Sequence, residues 1–325
     1  MGGAMDWDKA SRLDRSSLAT LAPAEIERAW HHPEARLLPV LTRGALAFTR
    51  PGVIGFVRPT GAWDPATDLV LARIENAPVF ARMLADEADV RGLFPAGQAV
   101  TVSDLRSVLD EVDDDLDLAF MATALARWHD QAQFCPRCGQ RSDIARGGTA
   151  RWCRACQQES FPRVDPAIIV SVTGPGDRLL LGHHQGWARA RHSVFAGYVE
   201  PGESAEQAVH REIAEEVDLH DLFDLTYVGS RPWPFPRSLM LAFAARTNTR
   251  RFSVDGSEIE QARWFTRDEL SRALASGEVG LPSRHSSAMV LIERWWKRTK
   301  SSAVSWEKNP PGQGATPPVT GSLTA

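Results

Sequence analysis

The stretch from Gly197 to Leu219, G-Y-V-E-P-G-E-S-A-E-Q-A-V-H-R-E-I-A-E-E-V-D-L, constrains this chain more than any other. It reads as a glycine turn followed by a helix dense in carboxylates. Ser204 with Gln207 three residues later makes a capping-box start, and nothing from there to Val217 breaks a helix. Ala205, Ala208, Val209 and Ile213 recur at helical spacing and form a stripe that can face a core. Glu212, Glu215 and Glu216 stand at i, i+3 and i+4, so three carboxylates crowd one side. Like charges at that spacing repel. An oxygen-only cluster suits a hard divalent cation such as Mg²⁺ or Mn²⁺, which can hold phosphates, neutralise developing charge and orient a water. The plainer alternative is a solvated acidic face partnered by Arg211.

Upstream, Cys135-Pro-Arg-Cys138 and Cys153-Arg-Ala-Cys156 are separated by fourteen residues. Each pair places two thiolates on one metal through a tight knuckle, and two pairs complete a closed, structural Zn²⁺ site. Gly139 lies where the knuckle backbone turns close to sulfur. A redox C-x-x-C is the alternative, and the doubled pair argues against it. Arg137, Arg141, Arg146, Arg151 and Arg154 make this ribbon basic, a weak pointer to nucleic acid. The formal charge of −4 over 325 residues gives no global bias of that kind. No apolar run reaches transmembrane length, and Met1–Arg15 has no apolar signal region, so a cytoplasmic protein with no membrane partner is expected.

The chain divides into 1–130, an N-terminal α+β domain; 131–163, a zinc ribbon; 164–300, the domain with the carboxylate helix; and 301–325, a Pro/Gly/Ser/Thr-rich tail expected to be disordered. In the first part a short helix is expected near Pro23–Trp30. Strands are expected over Leu37–Leu41, Ala45–Phe48, Val53–Val57 and Leu69–Ile74, and helices over Asp104–Leu109 and Asp117–Gln133. The acidic run Asp110–Asp117 reads as a solvated face. In the third part Ala167–Val172, Arg178–Leu181, Ser193–Ala196, Asp224–Gly229, Leu239–Arg246 and Trp264–Phe265 read as strands, and Arg267–Ala275 and His285–Thr299 as helices. Strands alternating with helices imply a mixed sheet covered on both faces.

The full spacing from Gly197 through Glu203 to Arg211-Glu212-Ile213-Ala214-Glu215-Glu216 resembles the Nudix box: glycine, five residues, glutamate, seven residues, R-E, an aliphatic residue, any residue, E-E. Leu219 matches its last position, and Asp218 replaces a glycine that needs a left-handed backbone, which Asp tolerates. Further on, Ser230-Arg231-Pro232-Trp233-Pro234-Phe235-Pro236-Arg237-Ser238 resembles the S-Q-P-W-P-F-P-x-S motif of the NADH pyrophosphatases. Its alternating prolines stiffen the backbone, and the flat Trp233 and Phe235 either stack on a ligand ring or fill a core. That subfamily also carries a four-cysteine ribbon before its Nudix domain.

The resemblance implies an α/β (α+β) fold: a Nudix α/β/α sandwich with a mixed sheet, preceded by the zinc ribbon and the N-terminal domain. It implies hydrolysis of the pyrophosphate of NAD(H) to nicotinamide mononucleotide and AMP, removal of NAD caps from RNA 5′ ends, and a homodimer. Carried over by position, Glu212 and Glu216 are Mg²⁺ or Mn²⁺ ligands, Glu215 a ligand or general base, and Glu203 a supporting residue. Glu258 is a further carboxylate from a later loop. Arg211 orients a box glutamate. Tyr198 takes the place of an adenine-stacking aromatic, and Phe161, Ser238 and Ala288 match other pocket positions. Arg231 departs from the family's glutamine beside the pocket, and its cation is expected to favour a phosphate, for instance that of a longer or capped-RNA substrate. Two readings compete: a Nudix hydrolase of another nucleoside diphosphate such as ADP-ribose, and a non-catalytic nucleotide sensor that binds nucleic acid.

Overall fold

The computed structural model describes residues 9–15, 22–112 and 114–298. The tail beyond Ser301 lies outside the described residues, as does most of the stretch before Arg15.

The N-terminal part is a seven-stranded mixed sheet in which Arg36–Leu41 runs parallel to Ala77–Leu84, the other pairings being antiparallel. The helix Leu116–Gln131 packs Leu118, Ala119, Ala122 and Ala126 into the same core as Leu38, Val40, Leu69 and Leu71. The expected helix over Pro23–Trp30 is present, with Pro23 at its first turn. The expected helix over Asp104–Leu109 is not. Asp104 instead draws its neighbours into a local turn: its carboxylate accepts from Arg106 N at 2.9 Å and its carbonyl from Ser107 Oγ at 2.7 Å. Such bonds compete with a helix.

The acidic run is also not a plain solvated face. Asp115 and Asp117 both accept from Arg12, at 2.8 and 2.7 Å, and Asp117 is buried. Asp110 accepts from Ser283 Oγ at 2.6 Å and from Arg284 N at 2.9 Å, far along the chain. These acids fasten elements together.

Asp143–Ala145, Ala150–Cys153 and Gln158–Ser160 form a small antiparallel sheet. A six-stranded mixed sheet follows, centred on Asp165–Gly174. This strand pairs in parallel with Ser238–Arg246 and antiparallel with Arg178–His184 and Phe195–Tyr198; Phe223–Trp233 and Ile259–Phe265 complete the sheet. Because the strand is covered on both faces it reads as a nearly continuous apolar run. Ile168, Val170 and Val172 join Val209, Ile213 and Val217 of the carboxylate helix, Ala205–Val217. Ile169 on the opposite face joins Leu270 and Ala273 of Arg267–Ala275 and Leu291, Ile292 and Trp295 of Ser287–Lys297. The expected α/β/α sandwich is thus what the sequence builds.

Candidate active site

The capping box holds the start of the carboxylate helix: Ser204 Oγ accepts from Gln207 N at 3.1 Å, and Gln207 Oε1 accepts from Ser204 N at 2.8 Å. At its other end Asp218 sits in the left-handed region (φ 53°), as the missing glycine requires. Gly197 is not in a turn. It lies in the strand Phe195–Tyr198 opposite Ile168, outside the left-handed region. Glycine is needed for space, since a Cβ there would stand 1.9 Å from the Glu212 carboxyl carbon.

Arg211 organises the cluster. It donates to Glu203 at 2.6 Å, Glu212 at 2.9 Å, Glu215 at 3.0 Å and the Tyr198 carbonyl at 2.9 Å. These bonds tie the helix to the strand beside it. Hydrogen bonds from Arg211 and from the Glu200 amide hold Glu203 below the usual carboxylate range. Glu215 stays largely exposed at the mouth of the cluster.

Glu216 is different. It is 5% exposed, and its Oε2 is buried with no hydrogen-bond partner. Burial first, then the charges of Glu212, Glu258 and Asp255, push its carboxyl up to about 8. Glu212 is raised too, by burial foremost, though Arg211 pulls against it. An orphaned buried carboxylate oxygen among other carboxylates is a costly arrangement that a bound cation relieves. The donor set, all oxygen, fits a hard divalent ion. Sequence reasoning missed Asp255, which presents Glu258 by accepting from the amides of Ser257, Glu258 and Ile259. The D-G-S-E turn was its signal.

Beside Glu216 lies a cavity of about 200 Å³ whose walls include Trp187, Phe195, Trp233, Met240 and Ala288. Trp187 was also missed, because nothing in a loop's sequence marks which way it folds. The S-R-P-W-P-F-P-R-S stretch ends one strand and begins the next, with Trp233 paired to Ser238 across the tip. Trp233 and Phe235 meet edge to face at 5.1 Å, and Phe235 packs edge to face on Phe120 at 5.9 Å. Arg127 of the N-terminal helix donates to the Pro234 carbonyl at 3.0 Å. The tip is therefore clasped by the N-terminal part: Trp233 and Phe235 both pack against the N-terminal core, and Trp233 also lines the cavity. Arg231 lies opposite Met240 and donates to the His285 carbonyl at 3.4 Å. Tyr198 is half exposed, its hydroxyl 3.4 Å from the buried Ser238 Oγ, and Phe161 is exposed beneath Arg146.

The four cysteine sulfurs all lie within 4.8 Å of one another, with Cys135 and Cys156 at 3.9 Å and Cys138 and Cys153 at 3.6 Å. A tetrahedron of about 2.3 Å Zn–S bonds has edges of about 3.8 Å. The thiols fit a structural zinc, and among the described residues no His, Asp or Glu joins the group. Three of the ribbon's five arginines are accounted for within the fold: Arg151 is buried, Arg146 pairs with Glu159 and Arg154 with Asp143.

Arg151 in turn packs on His129, which fixes the ribbon to the helix before it. The Gly148 carbonyl can only accept, so His129 Nε2 carries the proton at 2.8 Å, and Nδ1 accepts from Arg151 at 3.2 Å. Burial, with the nearby guanidinium, pushes His129 down to about 4. The unfolded chain then binds a proton near pH 6.5 that the folded chain refuses. This contribution to stability is complete above pH 6.5 and is lost progressively as pH falls toward 4, by on the order of 3 kcal/mol. His129→Gln keeps a donor without titrating, so its urea midpoint is expected to fall less than the parent's between pH 6.5 and 4. Parallel curves would refute this account of His129.

The fold and the glutamate helix define a Nudix domain, and residues 162–283 match the NUDIX domain model while 130–161 match the NADH pyrophosphatase zinc ribbon domain. The chain is 37% identical over 299 residues to the NAD-capped RNA hydrolase NudC of Mycobacterium bovis, covering 89% of this chain and 92% of that one. It is 40% identical over 229 residues to the protein of the same name from Stutzerimonas stutzeri, covering 70% and 77%. Nudix hydrolase 19, chloroplastic, from Arabidopsis thaliana is 35% identical over 231 residues, covering 66% and 52%. The chain belongs to the Nudix family, in the branch of the NudC hydrolases. Among the described residues no helix is long and apolar enough to cross a membrane.

Proposed function

We propose that this protein hydrolyses the pyrophosphate bond of NAD(H) to give the nicotinamide mononucleotide and AMP, and that it removes NAD caps from RNA 5′ ends. The observation that carries the reading is Glu216, buried and unpartnered at the junction of the carboxylate cluster and an aromatic-walled cavity. Similarity to the NudC hydrolases over most of the chain supports the substrate.

Glu212, Glu216 and Glu258 are the residues to hold Mg²⁺ or Mn²⁺, which when bound screens the diphosphate charge and polarises an attacking water. Glu215 is exposed and tethered by Arg211, which suits it to take the water's proton. Glu203 and Arg211 keep Glu212 and Glu215 in place. Trp233 and Ala288 shape the cavity for one half of the dinucleotide, and Tyr198, Phe161 and Ser238 offer a stacking surface for the other. Phe161, Val164 and Tyr198 are large exposed apolar groups and support a homodimer, which light scattering at twice 35.8 kDa would show.

The test is turnover of the zinc-loaded protein with added Mg²⁺ or Mn²⁺ on NADH, ADP-ribose and 5′-NAD-RNA side by side. Release of nicotinamide mononucleotide from NADH and from the RNA is expected. Preference for ADP-ribose would move the assignment to another nucleoside diphosphate, and tight binding without product would favour the sensor.

A further inference from the structure

The short turn Leu109–Glu111 presents an exposed carboxylate, Asp110, that the mechanism leaves unused. Its backbone is anchored in the N-terminal core. Leu109 and Val112 are buried there, and the Glu111 carbonyl packs so closely on Gly52 that a Cβ at Gly52 would stand 1.8 Å from its oxygen. From this anchor Asp110 Oδ1 accepts from Ser283 Oγ at 2.6 Å and from the Arg284 amide at 2.9 Å, partners 173 and 174 positions further along the chain.

What it holds is the turn that leads into the helix Ser287–Lys297. Ser283 is the hub of that turn. Its Oγ accepts from the His285 amide at 3.2 Å, and its carbonyl accepts from Ser286 Oγ at 2.7 Å and from the Ser286 amide at 3.0 Å. Ser286 caps the helix, its Oγ accepting from the Met289 amide at 3.2 Å. Pro282, Ser286, Ser287 and Ala288 form one wall of the cavity beside Glu216, while Asp110 itself does not line it. The bonds within the turn fix its shape. Its place against the cavity depends on bonds to other segments, and a carboxylate that accepts an amide and a hydroxyl together makes a strong one. The plainer role is a surface contact that adds a little stability, and that role predicts no effect on substrate.

We propose that Asp110 is a positioning residue for substrate: from the N-terminal part it sets the wall Pro282–Ala288 of the cavity. Substrate affinity is thereby tied to the N-terminal part, although the carboxylate cluster belongs wholly to the Nudix domain. The proposal rests on reading the cavity as part of the substrate pocket.

In turnover on NADH with Mg²⁺, Asp110→Ala is expected to raise KM by roughly 10-fold and to leave kcat within about twofold, since the wall acts on binding and not on the carboxylates. Asp110→Asn keeps an acceptor oxygen in the same place and restores most of the loss. Adding Ser283→Ala to Asp110→Ala costs little more, because both ends of one bond are then gone. A second arm involves no hydrolysis. Calorimetry of NADH on the zinc-loaded protein, with no other divalent metal added, is expected to show the same fall in affinity for Asp110→Ala. Amide hydrogen exchange is expected to quicken over residues 283–289 and not in the N-terminal sheet. An Asp110→Ala protein with the parent's affinity and the parent's exchange over 283–289 overturns the role. So does an equal loss in Asp110→Asn, which would make charge and not the bond the cause. Faster exchange throughout the N-terminal sheet would make Asp110 merely structural and overturns it too. A parent that binds NADH without turning it over refutes the proposed function, while weaker binding by Asp110→Ala with local exchange still supports the positioning role.

Discussion

Glu216→Gln loses turnover by on the order of 10³-fold, and at the same time loses the stabilisation that Mn²⁺ gives the parent. The side chain is almost fully buried, its Oε2 is without a partner, and Glu212, Glu258 and Asp255 add repulsion. Nothing in the protein alone rewards a carboxylate there, and leaving such an oxygen unsatisfied costs about 1–3 kcal/mol. The reward comes with the cation, whose charge in a catalytic site accounts for several kcal/mol of barrier, and about 1.4 kcal/mol is a factor of ten in rate. Gln has the same shape and no charge. Without added divalent metal, the thermal midpoint of the variant is therefore expected to equal or exceed the parent's. With Mn²⁺ at about 100 times its dissociation constant the parent gains about 2.7 kcal/mol, and the variant gains little. Scanning calorimetry of both proteins with and without Mn²⁺ measures this directly. A variant that keeps the metal-dependent rise would show that Glu216 is not a ligand, and one that unfolds without metal would show that it is structural.

The parts of this site that were legible in the sequence are those that local physics dictates. Glu212, Glu215 and Glu216 could be placed on one side of a helix because the capping residues and the apolar stripe fix its phase. The cysteine knuckles were legible because a C-x-x-C turn brings its own two sulfurs together. The covering of the central sheet on both faces was legible in the alternation of strands with helices, and the run Ala167–Val172, apolar but for Ser171, agrees with it.

What escaped depends on contacts between distant segments. The strand Ala77–Leu84 was hidden by Pro78, which sits at its start where a missing amide does little harm. Asp110–Asp117 looked solvated because its arginine and backbone partners lie roughly eighty to one hundred and seventy residues away. Trp233 and Phe235 could be read either as a stacking surface or as core, and only contacts with the distant N-terminal core, with Arg127 and Phe120 against the Phe235 side, show that both pack there. That clasp also gives the N-terminal part a task, since it holds the hairpin whose Trp233 walls the cavity.

Gly197→Ala is expected to lower kcat/KM by about 10²-fold although the alanine touches neither substrate nor metal. The residue lies in a regular strand, outside the left-handed region, so the backbone accepts alanine, which intrinsically suits a strand better than glycine does. The obstacle is Glu212, whose carboxyl carbon stands 1.9 Å and whose Oε2 stands 2.4 Å from where the new Cβ must go. Glu212 must leave that position, and Arg211, which bonds Glu203, Glu212 and Glu215 together, must follow or break its bonds. A displacement of about 1 Å in a positioned group is enough for a hundredfold loss. Stability tells a steric cause from a backbone one. If Glu212 is the obstacle, adding Glu212→Ala to Gly197→Ala removes the collision, and the double variant melts above Gly197→Ala alone. Its activity is then no lower than that of Glu212→Ala, because the two changes remove the same thing. A double variant no more stable than Gly197→Ala would mean that the strand, not the carboxylate, requires the glycine.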